Sequence, residues 1–290
     1  MKMKRINILF GAILLLLTTA CTELFDSENM ANAIRFTASY PGSTKVTSSA
    51  FESGDAVSLY AVQWDGDTQY PLQVGGNFVN NAQLTYSGSV WNATQTLYWG
   101  TQPCDFYALY PYQASVGSVE KYPFTLAADQ NGDGYENSDL LFAYAEKVAK
   151  GSTVALDFKH MMSKLVVKLE KGPQFEGEIP DDVVSHVYNT ITSCKVDWTK
   201  GSVEKDAFGA KPTLTMKKIS NERFEAVIVP QNIEKRTPLI ELTMGGIAYL
   251  LDYSLSFRPG YVHTVTVTLN TSPDQEQIEI SIDPETSNWG

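Results

Sequence analysis

Apolar residues recur at every second position along much of this 290-residue chain. Val57, Leu59 and Ala61 alternate with Ser58, Tyr60 and Val62, and Leu165, Val167 and Leu169 alternate with Val166, Lys168 and Glu170. Near the C-terminus, Tyr261, His263, Val265, Val267 and Leu269 fall on one face and Thr264, Thr266 and Thr268 on the other; Ile278, Ile280 and Ile282 alternate with Glu279 and Ser281. Successive side chains of a strand point to opposite faces, so this period predicts half-buried β-strands. Gly245-Gly246, between residues 239–244 and 247–252, has the length of a two-residue hairpin turn. Asp65-Gly66, Gly75-Gly76 and Lys200-Gly201 mark further turns. Beyond residue 20 no segment keeps apolar residues at helical spacing for three turns. Residues 181–188, with Val183, Val184 and Val187 on one side, suggest at most a short helix. Many short strands with regular turn signals predict an all-β chain of the β-sandwich kind.

The first twenty residues break the pattern. Lys2, Lys4 and Arg5 precede an apolar run over residues 6–17, and Thr18, Thr19 and Ala20 lead to Cys21. A basic start, an apolar stretch and a small-residue exit describe a secretory signal peptide. The run is shorter than the ~20 apolar residues that cross a bilayer as a helix. Small residues before a cysteine resemble a bacterial lipobox, with Thr18 where leucine is usual and Leu17 one place early. The expectation is cleavage before Cys21 and a lipid anchor on its sulfur, which makes the membrane a partner and the outer membrane and cell surface the location.

The 270 residues left exceed the ~100–200 of one domain, which predicts two. We place the signal peptide at 1–20, a tether at 21–32, an N-terminal sandwich at 33–163 and a C-terminal sandwich at 164–290. Losing residues 1–20 removes three basic side chains and leaves 19 basic against 33 acidic, a net charge of −14. Binding to nucleic acid rests on Lys and Arg neutralising phosphates, so that charge excludes DNA and RNA as partners. Cys104 and Cys194 form an even pair in an oxidising compartment; either a disulfide or two buried free thiols would satisfy it, and the thiols are the expected form.

The sharpest chemical motif runs from Asp129 through Asn131, Asp133 and Gly134 to Leu140. Oxygen side chains at positions 1, 3 and 5 and glycine at 6 match the front of a calcium loop, but position 12, which should bring a bidentate acid, is Leu140. A polar surface turn is the better reading. His160, His186 and His263 are the only histidines, and His263 sits on the apolar face of its strand. No metalloprotease, nucleophile-elbow or phosphate-loop motif is present. No catalytic residue, metal or cofactor is expected. Aromatics gather at Tyr98-Trp99 and Phe106-Tyr107-Ala108-Leu109-Tyr110-Pro111-Tyr112, with Trp64 and Trp91 near. Such rings either fill a sandwich core or form a glycan-binding face; the core is preferred.

Taken together, several segments resemble the fimbrillin-like family of surface lipoproteins and fimbrial subunits of Gram-negative anaerobes. They are Ile34-Arg35-Phe36-Thr37-Ala38; Phe51-Glu52-Ser53-Gly54-Asp55-Ala56-Val57-Ser58-Leu59-Tyr60-Ala61; Tyr98-Trp99-Gly100; the aromatic stretch at 105–112; Ser138-Asp139-Leu140-Leu141-Phe142-Ala143; and residues 154–165. The resemblance implies two transthyretin-like β-sandwiches and a structural or adhesive role outside the cell. It further implies that subunits join when a protease, often Arg-specific, removes a first strand and a neighbour's strand replaces it. Residues 34–38 would be that strand, and residues 277–282 either a donor strand or an ordinary edge strand. Arg35 lies inside the strand and Lys45 stands where the cleavage arginine is usual, which favours an anchored or accessory subunit over a stalk subunit. The alternative is a surface glycan-binding lipoprotein with no part in fimbriae.

Overall fold

The computed structural model describes residues 31–41, 50–271 and 280–289, with 271 and 280–284 described by backbone alone. The signal peptide, Cys21, Lys45, Ile278 and the side chains of Ile280 and Ile282 lie outside that description. The protein is all-β, with a short helix, α1 (Asp133–Ser138), set among the strands.

A seven-stranded antiparallel sheet forms the centre of the first half. Its order is β10 (Lys159–His160), β8 (Leu141–Val148), β6 (Cys104–Tyr110), β2 (Ala56–Asp65), β4 (Val79–Tyr86) and β5 (Trp91–Ala93), with β3 (Thr68–Gln69) folded back on β2. One face is covered by β1 (Arg35–Ser39), which runs parallel to β9 (Thr153–Asp157). Val57, Leu59, Ala61, Phe106 and Ala108 pack there. The opposite face turns Tyr60, Val62, Tyr107 and Leu109 towards a third layer. That layer is the sheet β14 (Ser202–Lys205), β13 (Ser193–Asp197) and β7 (Tyr122–Thr125), in which β7 from early in the chain pairs antiparallel with β13 from much later. Trp198, fully buried, meets Tyr60 and Tyr122 edge-on at 5.4 and 6.0 Å.

β2 therefore departs from the expectation of a half-buried strand. Residues 57–62 are buried on both faces because each face of the sheet has its own apolar cover. Each large side chain fully removed from water in this way contributes about 1.5–3 kcal/mol.

In the second half, a mixed sheet of β16 (Lys217–Ser220), β17 (Arg223–Ile228), β11 (Ser163–Gln174), β22 (Tyr261–Thr271) and β23 (Ile280–Asn288) packs on a four-stranded sheet. The latter holds β15 (Leu214–Thr215), β12 (Val184–Val187), β19 (Pro238–Met244) and β20 (Ile247–Asp252), and one core lies between the two. β18 (Asn232–Ile233) and β21 (Leu255–Ser256) form a small separate pair. Alternate residues of β17 serve different cores: Ala226 and Ile228 face the second-half sandwich, and Val227 faces the layer beneath the first sheet.

Several sequence expectations meet their structure here. Gly245 and Gly246 join β19 to β20 with φ of 56° and 77°, the two positive values that a type I′ hairpin requires and that glycine adopts without strain. His263 is buried against Phe257, whose ring meets it edge-on at 5.4 Å, and its Nε2 accepts from the Arg258 amide, as its place on the apolar face predicted. Residues 181–188 are not helical: 184–187 form β12, paired with β19 and β15. β-Branched valines fit a pleated surface between two strands better than a helix. Residues 280–288 pair antiparallel with β22 along its free side, so the described part of the C-terminal segment is an edge strand of its own sheet.

Candidate functional site

The element with the clearest functional geometry is β1 and the seat it fills. It hydrogen-bonds in parallel register with β9, from Arg35 opposite Thr153 to Ser39 opposite Asp157. At its start, Ile34 N donates to Leu97 O at 2.8 Å, Trp99 N donates to Asn32 O at 3.0 Å, and Asn32 Nδ2 returns a bond to Trp99 O at 3.1 Å. At its end Phe158 N donates to Ser39 O at 3.2 Å and Ser39 Oγ to Asp157 Oδ1 at 2.7 Å. Side chains alternate as a strand laid on an apolar floor must: Ile34 and Phe36 are buried and Ala38 half-buried, while Arg35, Thr37 and Ser39 face water. Phe36 meets Phe106 edge-to-face at 6.0 Å, and Trp99 closes on the other side of Phe106 at 5.8 Å. A short strand held by main-chain bonds and two or three apolar side chains is chemically generic.

The aromatics read as a possible glycan face belong largely to this floor. Trp99, Phe106 and Trp91 are buried. Tyr110 is half-buried, with its hydroxyl donating to Asp55 Oδ1 at 3.1 Å. Trp64 donates its indole N–H to the buried carboxylate of Asp105 at 2.7 Å, which also accepts from Gln69, Tyr144 and the Lys147 amide.

The motif at Asp129 is a structural bracket. Asp129 Oδ1 accepts from Asn131 N at 2.9 Å, and a Cβ at Gly134 would lie 1.9 Å from the Asp129 carbonyl, so close backbone approach explains that glycine. Gln130, fully buried, reaches β17, where its Oε1 accepts from Val227 N at 2.7 Å and its Nε2 donates to Val227 O at 2.9 Å. No group of three or more His, Cys, Asp or Glu side chains suited to a metal occurs among the described residues. Cys104 and Cys194 are free and buried. Burial, with Asp105 beside it, pushes the Cys104 thiol up to about 11, and burial pushes Cys194 up to about 12, so both stay protonated and unreactive near neutrality.

Sequence reading missed a second feature, a cleft between the halves lined by Tyr40, Tyr110, Tyr135 and Trp289. These rings are scattered over 250 positions of sequence, and no local pattern links them.

A fimbrillin-like family model matches residues 44–289. The chain belongs to the fimbrillin-like family. No curated protein sequence matches it significantly. Among solved structures, this fimbrillin-like chain is similar to a candidate cell adhesion protein of Bacteroides ovatus. The TM-score is 0.70 at 18% identity, over 89% of this chain and 96% of that one. A candidate cell adhesion protein of Bacteroides uniformis gives a TM-score of 0.68 at 20% identity, over 89% and 97% of the two chains. A fimbrial protein of Bacteroides vulgatus gives 0.53 at 13%, over 89% and 99%. At these identities the likeness is one of fold.

Proposed function

We propose that this fimbrillin-like protein is a structural or adhesive component of a cell-surface fibre, an anchored or accessory subunit that joins its neighbours by β-strand exchange. The observation that carries the reading is the seat of β1: five residues, one parallel partner, and Ile34 and Phe36 as apolar plugs on an aromatic floor. Replacing that strand with one from a neighbour would keep every main-chain bond and restore the apolar contacts. A head-to-tail contact of this sort extends without closing. The two sheet packings are read as tandem transthyretin-like sandwiches, and the protein as non-catalytic.

The same reading places a diacylglycerol on Cys21 and the protein at the outer membrane, facing outwards. Mass spectrometry of the native N-terminal peptide tests the anchor; an unmodified Cys21 or a cut elsewhere refutes it. Strand exchange is tested by treating purified protein with Lys- or Arg-specific protease. A ladder on a non-boiled gel, with a new N-terminus near residue 36 or 46, would make this a stalk subunit. An uncut subunit keeps its own first strand and accepts no other, which is the reason for reading the protein as anchored or accessory. If the protein stays monomeric after such a cut and its deletion in the native cell leaves surface fibres unchanged, the fimbrial reading fails.

A further inference from the structure

A strand at the end of a sheet presents unpaired N–H and C=O groups, and proteins guard such ends with short strands, charges, proline or bulges. Most sheets of this chain follow that rule. β10, β5 and β15 are only two or three residues long. β16 carries Lys217, Lys218 and a register shift, β14 carries Glu204 and Lys205, β7 carries Pro123, and β23 carries Pro284 between Asp283 and Glu285. Among the described ends of the sheets of three or more strands, β20 is the exception. It closes the four-stranded sheet and reads Ile247-Ala248-Tyr249-Leu250-Leu251 before its first charge, Asp252.

This edge is apolar on both faces. Leu251 is buried in the core between the sheets, and Tyr249 packs against that core. Ala248 and Leu250 turn outwards, opposite Thr243 and Glu241, and Leu250 is 58% exposed. Val184 is exposed on β12 opposite Thr243, so the outer apolar surface reaches across the sheet. The Gly245-Gly246 turn closes on Met244 opposite Ile247. In such a hairpin the closing pair exchanges both main-chain bonds, and bonded pairs recur at every second residue. The N–H and C=O of Ala248 and Leu250 therefore point away from β19, to the side where no described strand lies.

We infer that β20 pairs antiparallel with β20 of a second copy of this chain across a two-fold axis, joining the two four-stranded sheets into one. An axis perpendicular to the sheet brings like faces together. Ala248 then lies opposite the partner's Leu250, Tyr249 opposite the partner's Tyr249, and Ile247 opposite the partner's Leu251. Each Ala248–Leu250 pair exchanges the two main-chain bonds that β19 leaves free. Asp252 falls opposite the Gly246 turn, so no like charges face each other. The occupant follows from the chemistry of the edge. A strand with charges at alternate places would press them against Tyr249 or against Leu250 and Val184 without partners. β20 itself is apolar at consecutive places, and the guarded sheet ends of this chain are not. The contact is small, of the class that buries less than ~1,200 Å² and stays transient, and a dissociation constant of about 100 μM is expected. It is also isologous and stops at two copies, whereas head-to-tail strand exchange grows. A pairing this weak leaves no ladder on a non-boiled gel, so the two readings stand or fall separately.

The test is sedimentation velocity of the purified protein carrying Cys21→Ser, which excludes association through a lipid. The mean mass should rise towards that of a dimer between about 10 and about 500 μM. Added salt should strengthen the pairing, because it screens the repulsion between two acidic copies and leaves the apolar contact intact. Amide exchange reads the register. Over the same concentration range the N–H groups of Ala248 and Leu250 should slow about threefold, while that of Tyr249 is protected throughout. Ala248→Pro removes two of the four new bonds without breaking one to β19, and should weaken the dimer at least about tenfold. Leu250→Lys, which leaves the backbone unchanged and adds the usual guard of a free edge, should weaken it as well. Ile219→Ser, which removes an exposed apolar side chain from β16, should leave it unchanged. Equal losses in Ile219→Ser and Leu250→Lys would reduce the effect to general stickiness and overturn the assignment. A monomer across the whole range, a dimer weakened by salt, or a dimer in which Ala248 and Leu250 gain no protection would overturn it too.

Discussion

The indole of Trp289 lies flat on the imidazole of His160, with ring centroids 3.8 Å apart and planes inclined by 11°. His160 belongs to the edge strand of the first sheet, and its Nδ1 is held by Asp139 at 2.7 Å. Trp289 follows the last strand of the second half, with its amide donating to Gly260 O at 2.8 Å. The stack therefore fastens the end of the chain to the first half. Trp289→Ala is expected to lower the unfolding free energy by about 1–3 kcal/mol, from the lost aromatic pair and the apolar area it covers. A shift in urea midpoint with an unchanged m-value would show it; an unchanged midpoint would mean the stack contributes nothing.

Phe36 anchors β1 against Phe106. Truncating a buried phenylalanine costs about 3–5 kcal/mol when the whole fold must bear the loss. Where β1 releases locally, the measured loss is capped by the free energy of seating that strand. Phe36→Ala should therefore show a modest fall in global stability, about 1–3 kcal/mol, and a large rise in amide exchange confined to β1 and β9. Uniformly faster exchange across the second-half sheets would contradict local release.

Glu225 is buried, which by itself would raise its pKa, but Lys164 and Arg223 outweigh burial and hold it below the ordinary carboxylate range. A carboxylate depressed in the folded state adds stability above its unfolded pKa of about 4.3, and that contribution is lost as pH falls through the folded value. Urea unfolding should show lower stability at pH 3 than at pH 7. In Glu225→Gln the protein should start less stable at pH 7 and lose less on acidification. An equal loss in both proteins would assign the acid sensitivity to other carboxylates.

Gln130 makes a two-way bond to the backbone of Val227 inside the protein. Gln130→Ala leaves a buried N–H and a buried C=O of β17 without that partner. Each unsatisfied group costs about 1–3 kcal/mol, so a loss of about 2–5 kcal/mol is expected in chemical unfolding. Added calcium should not restore it. Restoration by calcium would show that the loop needs a metal and not a bracket.

The legible features were local ones. The alternation at residues 261–269 gave the strand and the buried face of His263, and Gly245-Gly246 gave the hairpin with its turn. Residues 34–38 were marked as a strand only through the family resemblance; that Ile34, Phe36 and Ala38 turn inwards and Arg35 and Thr37 outwards was decided by how the strand packs on its floor. Residues 181–188 were misjudged because three valines at helical spacing also fit a strand, and pairing with β19 decided between them. The second buried face of β2 was invisible because Tyr60 and Val62 are covered by residues more than a hundred positions away, at Cys194, Val196 and Trp198.

By itself the sequence determined that this protein is built of strands and where many of them turn. Those properties follow from backbone geometry and from side chains within a few residues of one another. Only the tertiary structure decided that β7 pairs with β13, that Gln130 grips β17, and that four distant aromatic rings and a set of carboxylates share one cleft. Each of those contacts joins positions whose separation along the chain carries no energetic signature until the sheets have packed.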